Sequence, residues 1–158
     1  MAFFPCTRFE DQIVMGFRGC LYQLKNWSDE QKLEYDIKLH EELHFLYDIL
    51  CKFAIVCIRK NIPLIIENPK GTLHYLDRYW CMKPSVIDKD RTERGDYFKK
   101  STQYWFINRK PSNNLIFGEY ADGNRVGIVE RVKGSDRKVK RSLISPDYAN
   151  RFIREFII

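Results

Sequence analysis

Histidine, glycine and paired cysteine are all scarce in this chain. Its 158 residues include three histidines, eight glycines and five cysteines, with no Cys-x-x-Cys pair. The odd set Cys6, Cys20, Cys51, Cys57 and Cys81 argues against a disulfide scaffold and for a reducing compartment. No basic segment followed by an apolar core opens the chain, so no secretory signal is read and a cytoplasmic location is expected. No uninterrupted apolar run approaches the roughly 20 residues of a membrane-spanning helix, so no membrane partner is expected. Internal repeats and low-complexity linkers are missing too, which removes solenoids and tethered arrays.

What is present suits one folded unit. The apolar fraction of 44% and aromatic fraction of 15% argue against disorder, and the length is that of one domain with a real core. A net charge of +6 favours an acidic partner, nucleic acid first. The charge is concentrated: Arg131, Lys133, Arg137, Lys138, Lys140 and Arg141 flank Gly134-Ser135 with Asp136 alone opposing them. A basic loop of this kind suits phosphate contacts, because each neutralised phosphate releases condensed counterions. Arg8, Lys99 and Lys100 are further candidate contacts for the same partner.

Local patterns predict an α/β fold. Residues 2–5 read as a strand end and residues 7–26 as a short helix and loop broken by Gly16 and Gly19. Ser28, with Asp29, Glu30 and then Gln31, forms a capping box carrying negative charge in the first turn. Leu39, Leu43, Leu46, Leu50, Phe53 and Cys57 then draw one apolar stripe on a helix running to about Lys60, stopped by Asn61 and Pro63. Residues 63–67 read as a buried strand, so the default topology is a strand–helix–strand crossover in a mostly parallel sheet. Residues 86–87 and 103–108 are further strands, and residues 115–120 and 125–132 are expected to pair as a hairpin around Asp122-Gly123. Ser145 caps a final helix with Pro146 in its first position and Phe152, Phe156 and Ile157 on its inner face. The single domain divides into an α/β core (1–110), a basic β extension (111–145) and a C-terminal helix (146–158).

Two short motifs sit at predicted strand ends, where open α/β sheets build their active sites: Pro5-Cys6 and Glu67-Asn68. In this order, with a long helix between, they resemble the fourth and sixth motifs of the cytosine-5 DNA methyltransferases. Phe-Phe-Pro-Cys-Thr-Arg-Phe-Glu, Ile-Glu-Asn-Pro, Lys-Lys-Ser-Thr-Gln-Tyr-Trp-Phe and Arg-Ser-Leu-Ile-Ser-Pro-Asp-Tyr-Ala together resemble phage methyltransferase-like proteins over most of the chain. The resemblance implies a partial, Rossmann-like methyltransferase sheet. It also implies Cys6 as nucleophile, Glu67 as proton donor or base-edge contact, and Asn68 as its support. Arg8, two residues beyond Cys6, would favour the thiolate.

The likeness is to half an enzyme. Only five residues precede Cys6, so the glycine-rich loop for S-adenosylmethionine has no counterpart, and Pro69 stands where the family usually has valine. The Gln-x-Arg-x-Arg pattern is also unmatched, since Gln103 is followed by Tyr104, Trp105 and Phe106. The expectation is a non-catalytic methyltransferase-like protein, without cofactor, in the cytoplasm of an infected or lysogenic bacterium. It would bind DNA, a CRISPR effector or a restriction nuclease, and inhibit that defence. The alternative is the catalytic half of a split enzyme, with S-adenosylmethionine held by a complementing chain. The sheet edge left by a missing half points to a homo-oligomer or a tight partner.

A third reading comes from His40-Glu41-Glu42-Leu43-His44, which matches the zinc-hydrolase pattern H-E-x-x-H and lacks a third ligand that sequence can place. Its histidines border the apolar stripe and are expected to pack at its edge. Asp88, Asp90, Glu93, Arg91 and Arg94 read as a solvated, self-paired loop, and Trp105 reads as core.

Overall fold

The computed structural model describes residues 2–3, 8–10, 12–117, 127–128 and 143–158. Its longest element is the expected helix. We label the short helix Gln12–Phe17 α1 and the long one, Asp29–Arg59, α2. Ser28 caps α2 through a reciprocal box: its Oγ accepts from the Gln31 amide at 3.2 Å, and Gln31 Oε1 accepts from the Ser28 amide at 3.0 Å. Two donors that would otherwise be orphaned at the helix start are thereby satisfied. Asn61 takes a left-handed conformation (φ 52°) just past the helix, an ending that asparagine tolerates better than most residues. Asn108 closes the same end from a distance, donating to the carbonyls of Cys57 (2.7 Å) and Ile62 (3.1 Å).

Leu39, Leu43, Leu50 and Cys57 are buried along α2 as their spacing requires. Phe53 is not: it is 42% exposed, and Ala54 holds the core position instead. The small Ala54 packs among the residues that join α2 to the sheet, while the bulkier ring one residue earlier stays at the rim. Gly16 is also corrected. It lies inside α1, where a Cβ would come within 2.6 Å of Leu39 Cδ1, so its role is close helix approach; Gly19 (φ +62°) makes the turn.

Among the described residues six short strands form two sheets. β1 (Ala2–Phe3), β2 (Leu64–Pro69), β3 (Val86–Asp88) and β5 (Thr102–Ile107) form one sheet in the order β1-β2-β5-β3. β4 (Phe98–Lys99) pairs separately with β6 (Gly127–Ile128). β1 runs parallel to β2, with Ala2 opposite Ile66 and Phe3 opposite Glu67, as a connection through α2 predicts. The rest of the sheet is antiparallel: β2 against β5, and β5 against β3. The expectation of a mostly parallel sheet is therefore wrong. Parallel neighbours need a crossover of a dozen residues or more, usually helical, whereas between β2 and β5 the only α-helix is the five-residue α3 (Tyr75–Tyr79).

Mixed helix and strand is thus the fold class, with both sheet faces covered. Leu64, Ile66, Trp105 and Ile107 face α2 and α3 in a core with Leu43, Leu50, Leu76 and Trp80. Ile65, Tyr104 and Phe106 face the other way, onto Tyr148, Phe152 and Phe156. Those three belong to α4 (Pro146–Phe152) and the π-helical turn Ile153–Ile157 that continues it. Ser145 caps α4 as expected, its Oγ accepting from the Tyr148 amide at 3.0 Å. The expected hairpin does not form among the described residues: 115–117 are not in a strand, and Gly127–Ile128 pair with β4. Its turn lies outside the described residues.

Candidate functional site

The alternation of strand β2 decides what its last residues can do. Successive strand side chains point to opposite faces, so Glu67 shares the face of Ile65, while Asn68 shares that of Ile66. The expectation that Asn68 supports the Glu67 carboxyl is therefore corrected. Asn68 is fully buried on the helix side, where its Nδ2 donates to the Glu67 backbone carbonyl at 2.7 Å and its Oδ1 lies 3.3 Å from His74 Nε2. Gln103, its cross-strand neighbour, donates to the Pro69 carbonyl at 3.0 Å. These contacts hold the end of β2 in place from one side.

Glu67 occupies the other side. It is 7% exposed, and its Oε1 has no hydrogen-bond partner among the described residues. Burial pushes its carboxyl pKa up, and the nearby charges of Lys100 and Arg91 pull only partly against that. Such a carboxyl keeps its proton to higher pH than a surface glutamate, and so can donate a hydrogen bond as well as accept one. Tyr104 is its cross-strand neighbour. The Tyr104 hydroxyl lies 2.6 Å from that of Tyr148, which in turn donates to Asp88 Oδ2 at 3.0 Å. Burial raises the pKa of both phenols, so both keep their protons.

Behind this pair, where the sequence predicts a solvated loop, lies a buried ionic network. Asp88 and Arg91 are each 1% exposed. Arg91 pairs with Asp96 and stacks over the Tyr148 ring, 4.4 Å from its centroid. Asp96 also accepts from the amides of Tyr97 (2.8 Å) and Ser145 (3.0 Å). Arg94 reaches Asp88 at 2.9 Å and both oxygens of Glu155 at 3.1 Å. Burial works against the Arg94 charge, yet those carboxylates hold its pKa above the ordinary arginine value. Asp88 is pushed up by burial in spite of Arg94 and Tyr148. The sequence predicts the local self-pairing of this loop; Asp96 extends it by a near neighbour, while Tyr148 and Glu155 come from the distant C-terminal segment.

The other candidates fall in different places. Cys6 lies outside the described residues, as do Arg131, Lys133, Arg137, Lys138, Lys140 and Arg141. Arg8 pairs with Glu42 of α2. Lys99 is exposed and lies 3.2 Å from Asp90, a carboxyl that burial pushes up but that hydrogen bonds from Thr92 hold below its ordinary value. Lys100 is half-buried and close enough to Glu67 to act on its charge. In the H-E-x-x-H segment, the His40 ring stacks on Phe17 at 4.2 Å and its Nδ1 lies 2.9 Å from the Asp36 carbonyl. His44 is exposed, and among the described residues no three His, Cys, Asp or Glu side chains gather as a metal site.

No described strand leads into a glycine-rich turn of the kind that cradles S-adenosylmethionine. Among the described residues no helix is long and apolar enough to cross a membrane. No family model matches the chain, and no curated protein or solved structure matches it either.

Proposed function

We propose that this chain is a methyltransferase-like DNA-binding protein that does not itself transfer methyl groups. The observation that carries the reading is the parallel register of β1 and β2, with Phe3 opposite Glu67. Pro5-Cys6 follows β1 by two residues in sequence, and Glu67-Asn68 closes β2, as in the resemblance described above. Charge supplies the ligand class: the net +6, concentrated in residues 131–141, suits a polyphosphate backbone. Within residues 1–158 no glycine-rich loop exists to hold the methyl donor. The phage resemblance suggests inhibition of a restriction or CRISPR nuclease as its use.

Fluorescence anisotropy with a duplex across a salt series tests it. Affinity should fall steeply with salt, and Lys138→Glu with Arg141→Glu should weaken binding and reduce the log–log slope by about 2. Unchanged affinity in the double variant counts against the proposal.

The buried Glu67, its carboxyl pKa raised by burial, favours a second reading: the catalytic half of a split cytosine-5 methyltransferase. That reading expects a covalent adduct through Cys6 with a duplex containing fluorinated cytosine, given a cofactor-binding chain and S-adenosylmethionine. It fails if Cys6→Ser forms the adduct equally well.

A further inference from the structure

Helix α2 buries one stripe against the sheet and leaves a second apolar stripe bare. Phe45, Ile49 and Val56 are 63%, 39% and 52% exposed. At about 100° per residue they lie within roughly 40° of one another around the helix, well away from the buried line of Leu43, Leu50 and Cys57. Lys52 lies on the same line between Ile49 and Val56, its ammonium drawn to Asp48 at 2.7 Å, so the flank is three apolar side chains with one lysine stem among them. An exposed flank of this kind on a long helix is a surface that can take a partner.

The charges beside that stripe are divided along its length. Over residues 29–43, six acids face two lysines; over residues 44–60, one acid faces three basic residues. Glu41 and Arg59 are 18 residues apart, as are Glu42 and Lys60. Eighteen residues complete about five turns, so each pair lies on one line along the helix, one line on either side of the stripe. Glu41, Arg59 and Lys60 are exposed and make no ion pair among the described residues, while Glu42 bonds Arg8.

We propose that two copies of the chain pair through this flank, their α2 helices antiparallel about a two-fold axis near residues 50–51. The arrangement sets Phe45 against Val56 of the second copy and Ile49 against the aliphatic stem of its Lys52, and brings the acidic end of each flank onto the basic end of the other. In antiparallel pairs, flanking positions on the same side meet each other, so Glu41 meets Arg59 and Glu42 meets Lys60 within about one residue's rise. Each contact occurs twice, as an isologous interface requires. A parallel pairing would instead bring opposite flanks together, Glu41 against Glu42 and Arg59 against Lys60, like charge on like. A foreign partner helix would have to reproduce a charge division that a second copy already has.

Sedimentation equilibrium on the full chain, over a concentration series, is the test. A reversible dimer is expected. Glu41→Lys and Arg59→Glu should each raise its dissociation constant about tenfold. Glu41→Lys with Arg59→Glu should return it to within about threefold of the parent, because the exchanged charges meet again across the axis. Rescue of this kind cannot come from a folding defect. A parent chain that stays monomeric to about 100 μM overturns the proposal. A dimer indifferent to both single reversals does so too, as does a double variant no better than the singles.

Discussion

Glu67 and Asn68 are adjacent in sequence and yet belong to two environments, one ending among tyrosines and cations, the other against His74 and Gln103. That split has a titration signature. A carboxyl whose folded pKa is raised binds its proton more tightly in the folded state. Its contribution to stability is full below the unfolded pKa and is lost as pH rises through the folded one. Glu67 and Asp88 both have this sign, opposite to that of a salt-bridged surface carboxylate. Urea unfolding between pH 4 and pH 7 should find Glu67→Gln at least as stable as the parent at pH 7, with the advantage vanishing towards pH 4. A constant difference across that range would show that the carboxyl titrates as an ordinary one. Because the two residues face apart, Glu67→Gln and Asn68→Ala are also expected to add independently.

Elements bounded by side-chain caps were legible in the sequence. Ser28 with Gln31, and Ser145 with Pro146, mark two helix starts that the structure reproduces. Such signals are local, and the capping atoms lie within three residues of the groups they satisfy. Their contributions should be measurable: Ser28→Ala is expected to cost about 1 kcal/mol in thermal or denaturant unfolding. Ser145→Ala should cost about 2 kcal/mol, because its hydroxyl also donates to the Gly95 carbonyl at 2.6 Å. Equal losses would mean that the second bond adds nothing. Strand direction was not legible, because nothing in residues 102–107 says which way they run beside β2. Burial of Arg91 and Asp88 was hidden for the same reason: their charge partners Asp96 and Arg94 are local, but Tyr148, which covers Arg91 and bonds Asp88, arrives only through tertiary packing. Of the candidate site, the position of Glu67 at a strand end was legible, and the face taken by Asn68 follows from strand alternation alone.

At the scale of the molecule, the C-terminal helix is half of the core on its side of the sheet. Tyr148, Phe152 and Phe156 cover Ile65, Tyr104 and Phe106, and Arg94 binds Glu155 through two parallel hydrogen bonds. Arg94→Ala should cost roughly 3 kcal/mol, because buried Asp88 keeps only its Tyr148 hydrogen bond against its charge and Glu155 is left with Arg151. Removing residues 146–158 should abolish the cooperative melting transition, since burying three aromatics at roughly 2 kcal/mol each is comparable with the whole stability of a domain. A truncated chain that still melts sharply would show the sheet to be self-sufficient. Strand β2 carries a further consequence. It is bracketed by Pro63 and Pro69, and among the described residues β1 covers its outer edge at Ile66 and Glu67. A fibril recruiting that edge would meet a residue without an amide at each end of the strand and find only a few donors between. Templated growth has little to extend from there, so thermally unfolded chains should clump, if they do, as amorphous precipitate rather than as ordered cross-β fibres.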